Sequence, residues 1–376
     1  MSAHRRLAEI VCRILAAILP PALGPWGAAI RHEVAAIGDD RAALAFALAG
    51  LRDLAGRGIA FHIVHPFAAS GGSIMPFDDA AQRPRAVGIA CGVGAVLLGL
   101  AYLAIAGAPP SHLALNGVAL GTGLAALAII DRTGTARWSG AAMLAGAGAL
   151  LATALLGQAA DGAARWVKLG GLSLQPSLIL LPAMIVGYAR WRAPLAHAAM
   201  LAAVAAMALQ PDRAMAGISA LALGTLALAR PGWPERMVAA AALVAFAVTL
   251  ALPDALPATP FVDRVLWSAF AVHPVAGAAV YGGAALLLLP ALAVLRGQAG
   301  DRAVGLAFAT VWGGALLAAA LGNYPTPVVG YGGSAVLGYL LSLMALPKAV
   351  RPAPLAGATP AARPATPPHD LRIAAA

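Results

Sequence analysis

The chain has 376 residues, of which 61% are hydrophobic and only 11% charged. A water-soluble domain carries about 25% charged residues, so a soluble globular protein is excluded and an integral membrane protein is expected. The formal net charge of +10 then reads as Lys and Arg gathered on cytoplasmic loops to set topology, and no nucleic-acid partner is expected.

Ala, Leu, Gly and Val dominate and aromatics are few. That favours helices over a membrane β-barrel, whose strands need alternation and aromatic girdles. Cys12 and Cys91 stand in separate apolar contexts, so neither a disulfide framework nor a thiolate metal site follows.

Residues 1–58 read as a cytoplasmic or interfacial amphipathic extension. Arg5, Arg6, Glu9 and Arg13 alternate with apolar residues at helical spacing, and Pro20 and Pro21 interrupt the run too early for a membrane span. Residues 31–56 read as a helix pair, with Asp39 or Asp40 as the cap of its second member. Residues 59–85 read as a linker, 86–347 as the membrane domain, and 348–376 as a disordered Pro/Ala-rich cytoplasmic tail.

A membrane span needs about 20 apolar residues. Ten are expected, near 87–107, 112–130, 138–157, 175–190, 194–210, 214–230, 236–253, 268–295, 303–321 and 327–347. With residue 86 inside, Arg132, Arg137, Arg190, Arg192, Arg230, Arg236, Arg296, Arg302, Lys348 and Arg351 fall on the cytoplasmic side. Arg165, Lys168, Arg213 and Arg264 fall outside, with Asp161, Asp212, Asp254 and Asp263. The positive-inside rule therefore assigns an N-in, C-in topology. The expected fold is an all-α polytopic membrane protein of about ten transmembrane helices.

Four outward stretches carry most of the polar chemistry. In 161–177, Arg165 and Lys168 sit where the topology rule does not place them, either to hold an anionic lipid-linked substrate or to anchor the interface beside Trp166. In 209–213, Pro211 breaks the helix between two apolar runs, and Asp212 and Arg213 could pair. In 252–267, prolines stiffen a loop that carries Asp254 and Asp263 beside Arg264, and such a carboxylate is either catalytic or a solvated loop acid. In 325–334, glycines at 330, 332 and 333 permit a non-helical backbone that presents Tyr331 and Ser334. At membrane depth, such a backbone must be buried in protein or line a cavity. His273, near the outer end of the eighth span, is the best ionisable candidate within a span and His197 suggests less, and a lone intramembrane histidine more often has a structural role. No metal-ligand cluster or nucleotide loop is apparent.

These pieces in this order resemble the SEDS family (shape, elongation, division and sporulation), the RodA/FtsW-like proteins. The family pattern GAxRWI–LG–QPSE is met by Gly162, Ala163, Arg165, Trp166, Leu169, Gly170, Gln175, Pro176 and Ser177. QPDLGT is met by Gln210, Pro211 and Asp212, and PLPFxSYGGSS by Pro325, Pro327, Tyr331, Gly332, Gly333 and Ser334. The resemblance covers about residues 86–347. This chain departs from the family at Leu178 and Leu181, where the family has Glu and Lys, and at Arg213–Ala214–Met215, where it has LGT. The loop between spans seven and eight is also short, and the family's acidic pair in span eight is missing.

The resemblance implies a ten-span, divergent peptidoglycan glycosyltransferase of the bacterial inner membrane. Such an enzyme polymerises lipid II at the outer face during elongation or division, beside a single-span transpeptidase, a class B penicillin-binding protein. By position, the family's catalytic carboxylate falls on Asp263, with Asp254 as the alternative. Arg165, Lys168 and Arg264 are then expected to hold pyrophosphate, with a divalent cation, Mg or Mn, as an optional companion. Trp166, Gln175, Asp212, Tyr331 and Ser334 complete the expected substrate-binding set among membrane lipids. The alternatives are a non-catalytic scaffold for the transpeptidase and a lipid-intermediate transporter.

Overall fold

The computed structural model describes residues 2–19, 23–51, 54, 83–133, 140–160, 163–170, 172–252, 257–295 and 302–348. The linker up to residue 82, the tail beyond residue 348 and Asp254 lie outside the described residues.

Three helices open the chain: α1 (Ala3–Ile18), α2 (Gly24–Ala36) and α3 (40–51). They bury Ala8, Val11, Cys12, Val34, Ala43 and Ala47 in a small core of their own. Ser2 caps α1 by accepting from the Arg5 N–H. Asp39 caps α3, its Oδ2 accepting from the Ala42 N–H at 3.0 Å.

Apolar helices then fill each of the ten expected positions. They are α4 (Pro84–Ile105), α5 (Pro110–Thr133), α6 (Gly140–Leu156), α7 (Pro176–Arg190) and α8 (Pro194–Leu209). After them come α9 (Arg213–Ala229), α10 (Trp233–Ala251), α11 (Val265–Val272), α12 (Pro274–Leu295), α13 (Arg302–Leu321) and α14 (Gly333–Ser342). Five of these, α4, α5, α10, α12 and α13, are long and apolar enough to cross a membrane, and five are shorter apolar helices. Proline opens several of them, where its fixed φ suits the first turn and its missing N–H costs nothing.

The core runs through the whole group of helices. Residues Leu181–Ala189 of α7 are buried on every side, as expected of a central helix that is apolar all round. Helix α7 packs against α14, α13 and α6, while α4 lies along α12, and α9 along α10 and α13. Trp312 and Tyr339 meet edge to face at 5.1 Å between centroids, and Phe308 meets Tyr339 at 5.6 Å. The Trp312 Nε1–H donates to Ser342 Oγ, which gives the buried indole a partner.

At the end assigned to the cytoplasm, Arg85 pairs with Asp131 at 2.7 Å, and Lys348 approaches the same carboxylate at 3.3 Å. Arg85 also donates to the carbonyls of Met344 and Leu346. Arg192 pairs with Glu235 at 3.0 Å, and His197 Nδ1 lies 2.8 Å from the Ala193 carbonyl. Basic side chains thus hold both acidic groups and helix ends there.

Two features differ from the sequence reading. The expected eighth span is broken at His273, whose extended backbone (φ −167°, ψ 143°) is what a residue before proline adopts. His273 Nδ1 accepts from the Val275 N–H and so serves as the cap of α12. The second difference is a small antiparallel sheet on the outer side: β1 (Gln158–Ala160), β2 (Ala163–Leu169) and β3 (Leu172–Leu174), in the order β1-β2-β3. Leu169 pairs with Leu172, and Gly170 (φ +59°) supplies the left-handed residue of the tight turn between them.

Candidate active site

The outward stretches converge on one another. Gln175 precedes α7 and Asp212 caps α9, and both are buried. Asp212 Oδ2 accepts from Ser177 Oγ at 2.8 Å and from Gln175 Nε2 at 3.1 Å, while Oδ1 accepts from the Met215 N–H at 3.2 Å. The Gln175 N–H donates to Ser334 Oγ at 3.0 Å, at the start of α14. One network therefore joins Gln175, Asp212 and Ser334. Its carboxylate is filled by protein donors, and Asp212 does not make the pair with Arg213 that their adjacency allows.

Strand β2 separates the expected cations. Arg165 is 4% exposed and donates to the Pro211 carbonyl, which ties the sheet to the Asp212 turn. Trp166 is half-buried and pairs in register with Gln158, whereas Lys168 is exposed.

Asp263 sits in a turn between α10 and α11. The Asp263 N–H donates to the Thr259 carbonyl, and the Thr259 N–H donates back to Asp263 Oδ2 at 2.8 Å. Phe261 (φ 64°) and Arg264 (φ 57°) flank the carboxylate in left-handed conformations, which side chains adopt only at a cost. Burial pushes the Asp263 carboxyl above the ordinary carboxylate range, and the Thr259 hydrogen bond offsets part of that rise.

The 325–333 segment holds this turn from the other side. Asp263 bridges to Pro325, the Thr326 N–H donates to the Val262 carbonyl at 2.9 Å, and the Tyr331 N–H to the Phe261 carbonyl at 2.7 Å. Val328 and Val329 are buried, as a non-helical segment at this depth requires. The segment fits because α4 and α12 present Gly99 and Gly283 to it. A Cβ at Gly99 would meet the Val329 carbonyl oxygen at 2.8 Å and its Cα at 2.9 Å.

Helix α5 contributes two residues that the sequence reading did not single out. Asn116 is fully buried and bonds both sides of the glycine-rich turn: its Nδ2 donates to the Gly330 carbonyl at 2.9 Å, and its Oδ1 accepts from the Gly332 N–H at 3.0 Å. His112 stacks on Tyr331 at 3.7 Å between centroids and 11° between planes, and meets the Phe261 ring at 5.9 Å. The available signal was their spacing of four on one face of an otherwise apolar helix.

Arg264, the residue after Asp263, lines a groove of about 610 Å³ between α9, α10 and α13. Its walls are apolar, with Ile218, Leu221, Phe246 and Leu317, and its lining includes Arg213 and Arg264. Arg213 donates to the Thr249 and Leu252 carbonyls at the end of α10, and Arg264 Nε to Asn323 Oδ1 at 2.7 Å. Among the described residues, neither guanidinium forms an ion pair with a carboxylate. Among the described residues no group of three or more His, Cys, Asp or Glu side chains lies close enough together to hold a metal ion.

The arrangement thus offers a half-buried carboxylate of raised basicity, two guanidinium groups and an apolar groove. No protein-family model matches the chain, and no curated protein does either. The structure is similar to the crystal structure of the rod shape determining protein RodA of Thermus thermophilus, at 22% identity and a TM-score of 0.45, over 68% of this chain and 92% of that one. It is likewise similar to an aspartate-to-alanine mutant of that protein, at 21% identity and a TM-score of 0.44, over 68% and 93% of the two chains.

Proposed function

We propose that this chain is a SEDS-like glycosyltransferase of the bacterial inner membrane, acting at its outer face on a lipid-pyrophosphate-linked sugar, with lipid II as the substrate that the motif resemblance implies. The observation that carries the reading is the position of Asp263, half-buried, held by the Tyr331 segment, and next in sequence to an arginine that lines an apolar groove. A general base is most useful when its proton affinity lies nearer the working pH than an exposed carboxylate's, and burial moves Asp263 in that direction.

In this mechanism the groove takes the isoprenoid tail, and Arg264 with Arg213 meets the pyrophosphate. The acceptor hydroxyl oxygen attacks the anomeric carbon of the donor. The bond from that carbon to the pyrophosphate oxygen breaks as the new glycosidic bond forms, and the lipid pyrophosphate leaves with the bonding electrons. Asp263 takes the hydroxyl proton. The guanidinium groups stabilise the charge that grows on the leaving group.

One observation favours a second reading, a non-catalytic scaffold for a single-span transpeptidase. Arg165 and Asp212, both in the expected substrate-binding set, are buried and engaged with protein groups. Polymerisation of labelled lipid II by the purified chain, beside Asp263→Asn, separates the two. The transferase makes strands that the variant does not. Equal product from both rejects Asp263 as the base. No product from a folded wild type, alone or with a transpeptidase, leaves the scaffold.

A further inference from the structure

Resting on the reading of Asp263 as the base, we propose that Asn116 and His112, one turn apart on α5, are positioning residues that hold the Asp263 turn in its reactive geometry through residues 330–332.

The contacts form an unbroken series. Asn116 uses both ends of its amide, donating to the Gly330 carbonyl and accepting from the Gly332 N–H. His112 covers the ring of Tyr331, the residue between those two glycines. The Tyr331 N–H then holds the Phe261 carbonyl, two residues before Asp263. Both segments joined in this way contain left-handed side-chain-bearing residues, Phe261 at φ 64° and Val328 at φ 67°. A β-branched residue at positive φ is a genuine outlier, and such conformations persist only where the surroundings over-determine them. Asn116 and His112 supply that determination from outside both loops. Neither residue touches the Asp263 carboxylate, so neither is assigned a proton to carry.

The Asn116 amide does not titrate. Removing it therefore changes the pH profile only through the turn, where the titratable or charged groups are Asp263 and Arg264 of the turn itself, Tyr331 of the segment packed on it and His112 of α5. The test compares Asn116→Ala, Asn116→Asp, His112→Ala and His112→Phe in lipid II polymerisation and in amide hydrogen exchange of the detergent-solubilised full chain. Asn116→Asp keeps the acceptor for Gly332 but faces the Gly330 carbonyl without a donor. His112→Phe keeps a flat ring against Tyr331.

A displacement of an ångström costs a reaction on the order of a hundredfold. The expected result for Asn116→Ala is a fall in kcat of about ten- to a hundredfold at unchanged KM. Its acid limb moves to lower pH as Asp263 becomes hydrated, and exchange at Thr326 and Tyr331 accelerates. Asn116→Asp falls between, and His112→Phe restores what His112→Ala loses. Unchanged exchange and unchanged kcat in Asn116→Ala would overturn the proposal. So would faster exchange with kcat and the acid limb unmoved, which makes the contact merely structural. If His112→Phe is as impaired as His112→Ala, an imidazole nitrogen acts directly and the stacking role is wrong. An active Asp263→Asn would instead remove the base itself, and with it the reactive geometry that the clamp is proposed to hold.

Discussion

Replacing Asp212 by alanine tests whether the Gln175–Ser177–Asp212 network is architecture or substrate site. Asp212 is 1% exposed and accepts three hydrogen bonds within the protein. Loss of the helix cap costs about 1 kcal/mol. The two side-chain bonds to a charged acceptor are worth about 1.5 kcal/mol each at the lower end of their range, and their buried donors are left unpaired. The expected destabilisation is about 4 kcal/mol, which lowers a melting midpoint by roughly 8 °C at about 2 °C per kcal/mol for a large domain. The assay is thermal unfolding of the detergent-solubilised chain, with Ser177→Ala and the double variant completing a cycle. The two sites share one hydrogen bond, so their effects should be less than additive. Asp212→Ala melting with the wild type while losing lipid II binding would refute the reasoning and make the carboxylate a substrate contact.

Because burial raises the Asp263 carboxyl, polymerisation should climb with pH through a limb above the ordinary carboxylate range. A raised acid favours its neutral form in the folded state, so its stabilising contribution is present at low pH and lost as pH rises through the folded value. Asp263→Asn should abolish that pH dependence in a melting series, and an unchanged series would count against the burial argument. Gly99→Ala places a Cβ against the Val329 backbone, and overpacking of this kind costs about 1–3 kcal/mol. It should therefore lower both the midpoint and turnover, and wild-type behaviour would show that the notch can widen. Arg85 is 8% exposed and paired with Asp131. Arg85→Met leaves the Met344 and Leu346 carbonyls without their donor and Asp131 with Lys348 alone, at a cost of about 1–3 kcal/mol for unsatisfied buried acceptors, and unfolding in denaturant series is the measurement.

The positions of the apolar helices were legible because a helix in lipid must be apolar along its length, so composition alone marks it. A cap at Asp39 or Asp40, which the structure places at Asp39, and the return of residues 325–333 into the protein were legible from local chemistry: a short acidic side chain before a helix, and glycines at membrane depth. The sheet at 158–174 was hidden because its two outer strands are three residues each and only β2 is longer, too little alternation to stand out between apolar helices. The break at His273 was also passed over, although Pro274 signals it. The spacing of Asn116 and His112 marks a polar face of α5 but not what that face meets. Their partners, Gly330 and Tyr331, lie more than two hundred residues further on, and no pattern within α5 records that contact. Arg165 and Lys168 looked equivalent as neighbouring cations. The strand, not the sequence spacing, turned one inward and left the other exposed.

The last segment closes α4 at both ends, with Val329 against Gly99 and the Met344 and Leu346 carbonyls on Arg85. Arg85 and Leu346 are separated by 261 residues. At about 5–20 residues per second, α4 waits roughly 13–50 s after its own synthesis for its neighbour to emerge. For that interval its glycine-lined flank is open to lipid or to whatever holds nascent helices. Closing this seam thus waits for α14 to be made, and a chain cut short after α13 would leave α4, α5 and α7 without that neighbour.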